Sequence, residues 1–144
     1  MERIRQKIGR IKEYLKYVDD LKEDCDKKIM IDPYYRGALL HYLYLITDNC
    51  IAVAEMVIKY KNLRPPQSYS EAIDILGENG ILDNEFAYSF AAIAGFRNFI
   101  AHDYDKIDYK KICKDILEKM PEVKKYIEQI EAIRLPDHRR DLSS

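Results

Sequence analysis

The chain has 144 residues, a formal net charge of -1, 47% apolar residues and 34% charged residues. That length and balance describe one domain able to bury its own core, and they exclude a disordered chain or a small disulfide-stapled scaffold. The near-neutral charge excludes a global basic field, so any contact with nucleic acid has to come from a local patch.

With 5 Gly, 5 Pro and no Trp, turn signals are few and long helices are favoured. The first stretch, Glu2 to about Met30, carries Ile4, Ile8, Ile11, Leu15, Val18, Leu21, Cys25 and Ile29 at three- and four-residue steps, one stripe of a long amphipathic helix. Asp32-Pro33 restarts the chain as an N-cap followed by a first-turn proline. A second helix is expected to about Lys61, apolar on more than one side and therefore central. His41 and Asp48 lie seven apart on nearly the same face of it. Alone, His41 reads as a packed or surface histidine. Asp48 needs a hydrogen-bonding or cationic partner if it is buried, and Arg97 is a candidate for that partner.

Asn62 to Gln67 is the clearest loop, and Ser68 with Glu71 has capping-box spacing for a third helix ending at Gly77 to Gly80. Asp83 caps a fourth helix expected through Phe86, Phe90, Ile93 and Ala94 and into Arg97. Asp108 caps a fifth, with Tyr109, Ile112, Ile116, Met120, Val123, Ile127 and Ile130 on one stripe and a kink or division at Pro121. The expected architecture is all-α, an up-and-down bundle of four to five helices over residues 1–133, followed by a polar tail at 134–144.

Cys25, Cys50 and Cys113 are odd in number, far apart and without a CxxC pair, so neither a disulfide nor a zinc site is expected. No signal-peptide apolar region opens the chain, and no apolar run approaches the roughly 18 residues of a membrane span. A cytoplasmic protein with reduced thiols, no membrane association, no metal and no cofactor is the expectation.

One stretch concentrates chemistry: Arg97-Asn98-Phe99-Ile100-Ala101-His102-Asp103-Tyr104. Arginine holds a phosphate bidentately and keeps its charge, and histidine moves protons near neutrality. Together they point to binding and cleavage of a phosphodiester. Residues five apart on a helix, however, face about 140° away from each other. Either the helix ends before His102 and turns the imidazole back, or the motif meets its copy across a two-fold dimer. Arg97 and Tyr104, seven apart, share a face only if the helix continues. The plainer alternatives are an ion pair of Arg97 with a core carboxylate, a helix-terminal role for His102 beside the dipole, a local cap at Asn98 and a loop carboxylate at Asp103.

The R-x4-H-x-Y spacing of Arg97, His102 and Tyr104 resembles the signature of HepT-like proteins of the HEPN superfamily. So do the Arg64-Pro65-Pro66-Gln67-Ser68-Tyr69 loop, the approach through Gly95-Phe96, and the Lys106-Ile107-Asp108-Tyr109 restart, over roughly residues 1 to 130. The resemblance implies a homodimeric helical bundle that acts as the metal-independent ribonuclease toxin of a toxin–antitoxin pair. It implies RNA as substrate and a cognate minimal nucleotidyltransferase as antitoxin, which transfers AMP onto the motif tyrosine, here Tyr104. By the same resemblance Arg97 and His102 are catalytic, with Asn98, Asp48 and Asp103 in support. Family members often carry an acidic residue near the position of Ala52, where this chain has none; the nearest carboxylates are Asp48 and Glu55. The alternative is a non-catalytic helical module that binds a nucleotide or a partner beside a nucleotidyltransferase.

Overall fold

The computed structural model describes residues 2–133, so the expected tail at 134–144 lies outside the described residues. Within them the chain is a helical bundle with no strand. It is built around one helix.

That helix is α3, Pro33–Tyr60. Asp32 starts it by accepting hydrogen bonds from the Tyr34 and Tyr35 amides at 3.0 and 3.1 Å, and Pro33 occupies the first turn where no amide partner is needed. Leu39, Leu43, Ile46, Val53, Ala54 and Val57 are fully buried, because α1 (Glu2–Leu21), α4 (Tyr69–Glu78) and α6 (Ile93–His102) pack around it. By length and composition α3 could cross a membrane, at a mean hydropathy of 1.2 over its best window, contrary to the expectation that no run qualifies. Some 56% of that window is buried inside the bundle, which accounts for its apolarity as core packing.

The long first helix is divided. α1 stops at Leu21, a 3₁₀ turn covers Lys22–Asp24, and the four-residue α2 (Cys25–Lys28) completes the stripe. The Tyr35 hydroxyl donates to the freed Leu21 carbonyl, so the break is stitched to α3. At α4 the expected cap forms: Ser68 accepts from the Glu71 amide at 3.1 Å, and the Glu71 carboxylate accepts from the Gln67 amide at 3.2 Å. A Cβ at Gly77 would lie 2.6 Å from the Ala87 Cβ, so only glycine lets α4 approach α5 (Asn84–Phe90) this closely.

The fourth helix is also two helices rather than one. Ala91 and Ala92 form a tight turn between α5 and α6, and the axis restarts at Ile93. This turn sets the direction of α6, and with it the direction of the motif. After α6 a 3₁₀ turn (Tyr104–Lys106) leads to the three-residue α7 (Tyr109–Lys111), a π-helical stretch (Ile112–Ile116), a second 3₁₀ turn (Leu117–Lys119) and α8 (Met120–Ala132). Pro121 sits in the first turn of α8, as a divider should. Tyr126 anchors α8 by stacking on Phe90 and donating to the Cys50 carbonyl at 2.8 Å.

The thiols depart from expectation. Cys25 and Cys113 form a disulfide, with Cα atoms 5.7 Å apart across 88 residues of sequence, joining α2 to the π-helical stretch. Only Cys50 is free, fully buried, with its pKa driven up by desolvation. Spacing could not reveal the pair, because it exists only once the last third of the chain has folded back onto the end of α2.

Candidate functional site

α6 lies against α3 in antiparallel register: Arg97 meets Asp48 and Tyr44, while Ile100 and Ala101 lie beside Gly37, Leu40 and His41. Arg97 therefore projects into the seam between the two helices. Its Nε donates to Asp48 Oδ1 at 3.1 Å, Nη1 to Asn98 Oδ1 at 3.2 Å, and Nη2 to the Tyr44 hydroxyl at 3.3 Å. Its guanidinium also lies over two rings, 5.5 Å from the Tyr44 centroid and 5.0 Å from the Tyr69 centroid. Burial by itself would lower the arginine pKa. The hydrogen bond to Asp48, with the neighbouring Tyr44 and Asp48, outweighs that and leaves it raised, so the charge is secure.

This cradle has a chemical consequence. A guanidinium carries five N–H groups, and three are engaged here, which leaves one on each terminal nitrogen. Two remaining donors on a clamped, charged fork suit the oxygens of one phosphate. The Arg97 side chain is 17% exposed and that of Asp48 43%, so the fork is embedded while its counter-ion still reaches solvent. The expected Arg97–Asp48 pair is thus present and half-open. Asp48, one turn before Ala52, meets the arginine from α3.

His102 is placed otherwise. It is the last residue of α6, exposed, at the negative end of the helix dipole. Because α6 includes His102, the helix does not end early to turn the imidazole back. Arg97 and His102 of one chain stay about 140° apart. Asp103 closes α6 through its amide, which donates to the Phe99 carbonyl at 2.8 Å. Its own carbonyl accepts from the Lys106 amide at 2.8 Å and starts the turn that holds Tyr104. The helix does not continue, so the Tyr104 backbone lies in that turn, beyond the end of α6.

The sequence reading missed Tyr44 and the role of Tyr69. Tyr44 stands four residues before Asp48 on one helical face, which is a usable signal. Tyr69 lies in the loop motif already singled out, but its arrival over Arg97 depends on how α4 packs on α3. Among the described residues no three His, Cys, Asp or Glu side chains group as a metal site. A small apolar cavity of about 90 Å³ near Thr47, Phe96 and Val123 offers no comparable set of charged groups.

The chain is thus a helical bundle that sets Arg97 and His102 on one helix ending in a short turn. Residues 4–130 match the family model described as ribonuclease HepT-like, and the chain belongs to that family of ribonucleases. It is 30% identical to a tRNA nuclease HepT of Aphanizomenon flos-aquae over 80% of each chain. It is 21% identical to an mRNA nuclease HepT of Shewanella oneidensis over 88% of this chain and 94% of the relative. In structure it resembles a tri-AMPylated Shewanella oneidensis HEPN toxin solved in complex with an MNT antitoxin. That match has a TM-score of 0.76 and 22% identity, and it covers 90% of this chain and 96% of the toxin.

Proposed function

We propose that this protein is an endoribonuclease toxin whose site is shared between two copies, with Arg97 from one and His102 from the other on the same RNA phosphate. The observation that carries this reading is the division of labour on α6. Arg97 is clamped on one face with two donors to spare, and His102 stands exposed on another face, where a second copy can use it.

In this site the RNA 2′-oxygen attacks the adjacent phosphorus and the 5′-oxygen departs. Arg97 stabilises the charge that gathers on the non-bridging oxygens. His102 transfers a proton, and Asn98 and Asp48 fix the plane of the fork. Asp103 supports the site by ending α6 so that His102 is its last residue. Tyr104 accepts AMP from a cognate minimal nucleotidyltransferase: its phenolic oxygen attacks the α-phosphorus of ATP and pyrophosphate leaves. The added phosphate puts bulk and negative charge two residues from His102, which repels the RNA backbone.

The decisive experiment mixes variants. Arg97→Ala and His102→Ala homodimers are expected to be inactive on RNA, and a mixture of the two to regain activity, since mixed dimers carry one intact composite site. No recovery on mixing, with dimers exchanged, would sink the shared site. Intact-mass measurement after co-expression with the neighbouring nucleotidyltransferase tests the modification. AMP added to the wild type but not to Tyr104→Phe is the expected outcome.

A further inference from the structure

We infer that His41, on α3, is a second proton-transfer residue of this site, acting on the same RNA strand that Arg97 holds; this inference rests on the ribonuclease reading above. Between α3 and α6 runs an open trough of about 350 Å³, walled by Gly37, Leu40, His41, Tyr44, Ile100 and Ala101. It adjoins the arginine cradle directly, because Tyr44 both lines the trough and accepts a hydrogen bond from Arg97. His41 stands one turn before Tyr44, about 4.5 Å along the helix axis, and is exposed. A strand whose phosphate rests on Arg97 and which continues along the trough passes over this imidazole.

Three further observations favour a working group over a surface histidine. The trough floor is open: among the described residues a Cβ built at Gly37 would meet nothing within 4 Å. The opposite wall is Ala101, also small and exposed. Finally, the reaction needs two proton transfers, whereas the motif supplies one histidine per phosphate. Arg97 and His102 of one chain diverge, and His41 is an exposed imidazole lining the trough on the Arg97 side. Beside His41 stand Tyr42, with ring centroids 5.8 Å apart, and Tyr44, which shares the trough wall and accepts from Arg97 of α6. No carboxylate lines the trough.

The proton balance is complete without a co-reactant. His41 accepts the proton of the 2′-hydroxyl as the O–P bond forms, and the imidazolium of His102 from the second copy donates to the 5′-oxygen as the P–O bond breaks. No oxidation or reduction occurs.

The test measures single-turnover cleavage of a labelled RNA by the wild-type dimer, His41→Ala and His41→Gln, with circular dichroism to verify folding. The expected result is a loss of about 100-fold or more in both variants, with RNA binding unchanged and partial recovery of His41→Ala, but not His41→Gln, on adding free imidazole. Wild-type-like cleavage by His41→Ala would overturn the inference and leave the ribonuclease reading intact. A loss that imidazole does not restore and that follows weakened RNA binding would overturn it too, making His41 a binding residue. A wild-type dimer that cleaves no RNA would overturn the ribonuclease reading itself. As an independent arm, Gly37→Leu should fold and lose RNA binding by filling the floor.

Discussion

The two ends of the motif are built to opposite specifications. Arg97 is locked: four side chains from three helices hold its fork, and it is 17% exposed. His102, one and a half turns later, is exposed at a helix terminus. An electrostatic group gains from being held before substrate arrives, because no reorganisation is then needed in the transition state. In the shared site proposed above, a proton-transfer group that acts on another copy's substrate has to protrude, and the contrast between the two residues fits that arrangement.

The comparison breaks most sharply at the motif residues. Removing either is expected to lower cleavage about 10³-fold, while Arg97→Ala costs only about 1 kcal/mol of stability, since its partner carboxylate is half-exposed. Denaturant melts alongside kinetics check both. A stability loss of several kcal/mol would make Arg97 mainly a structural residue.

The next effect concerns the segment that carries Tyr104. It is fastened to the bundle by the Cys25–Cys113 disulfide, by buried Ile107 and Ile112, and by Arg36 lying 4.6 Å from the Tyr109 ring centroid. Closing an 88-residue separation stabilises by about 3–5 kcal/mol on the chain-entropy account. Reduction or Cys113→Ser should lower the melting temperature clearly. Proteolysis should then reach residues 104–116 before the Arg97 cradle.

A smaller effect is expected at the cradle. Asp48→Ala leaves Nε unpaired and the fork held only by Asn98, Tyr44 and Tyr69, so cleavage should fall about 10-fold or more with stability changed by about 1 kcal/mol. Asp48→Asn, which keeps an acceptor, should recover most of that. Smallest is Tyr69→Ala, which removes one ring from above the guanidinium, an interaction of about 0.5–1 kcal/mol at a partly exposed site. Its signature would be weaker RNA binding, read by titration of a non-cleavable RNA, with Tyr69→Phe unaffected.

The sequence by itself determined the all-helical class, the caps at Asp32, Ser68, Asp83 and Asp108, the centrality of α3, and the motif residues. Those features depend on side-chain spacing and on hydrogen bonds between residues two to four apart, which a linear reading contains. It did not determine the breaks after Leu21 and Phe90. There the apolar stripe runs on, and the turn is forced by what the next helix has to pack against. Nor could it show the disulfide, the tyrosines around Arg97, or the trough beside His41. These join residues about 30 to 90 apart in sequence, and only the packing of α4, α6 and the last third of the chain onto the earlier helices brings them within contact distance.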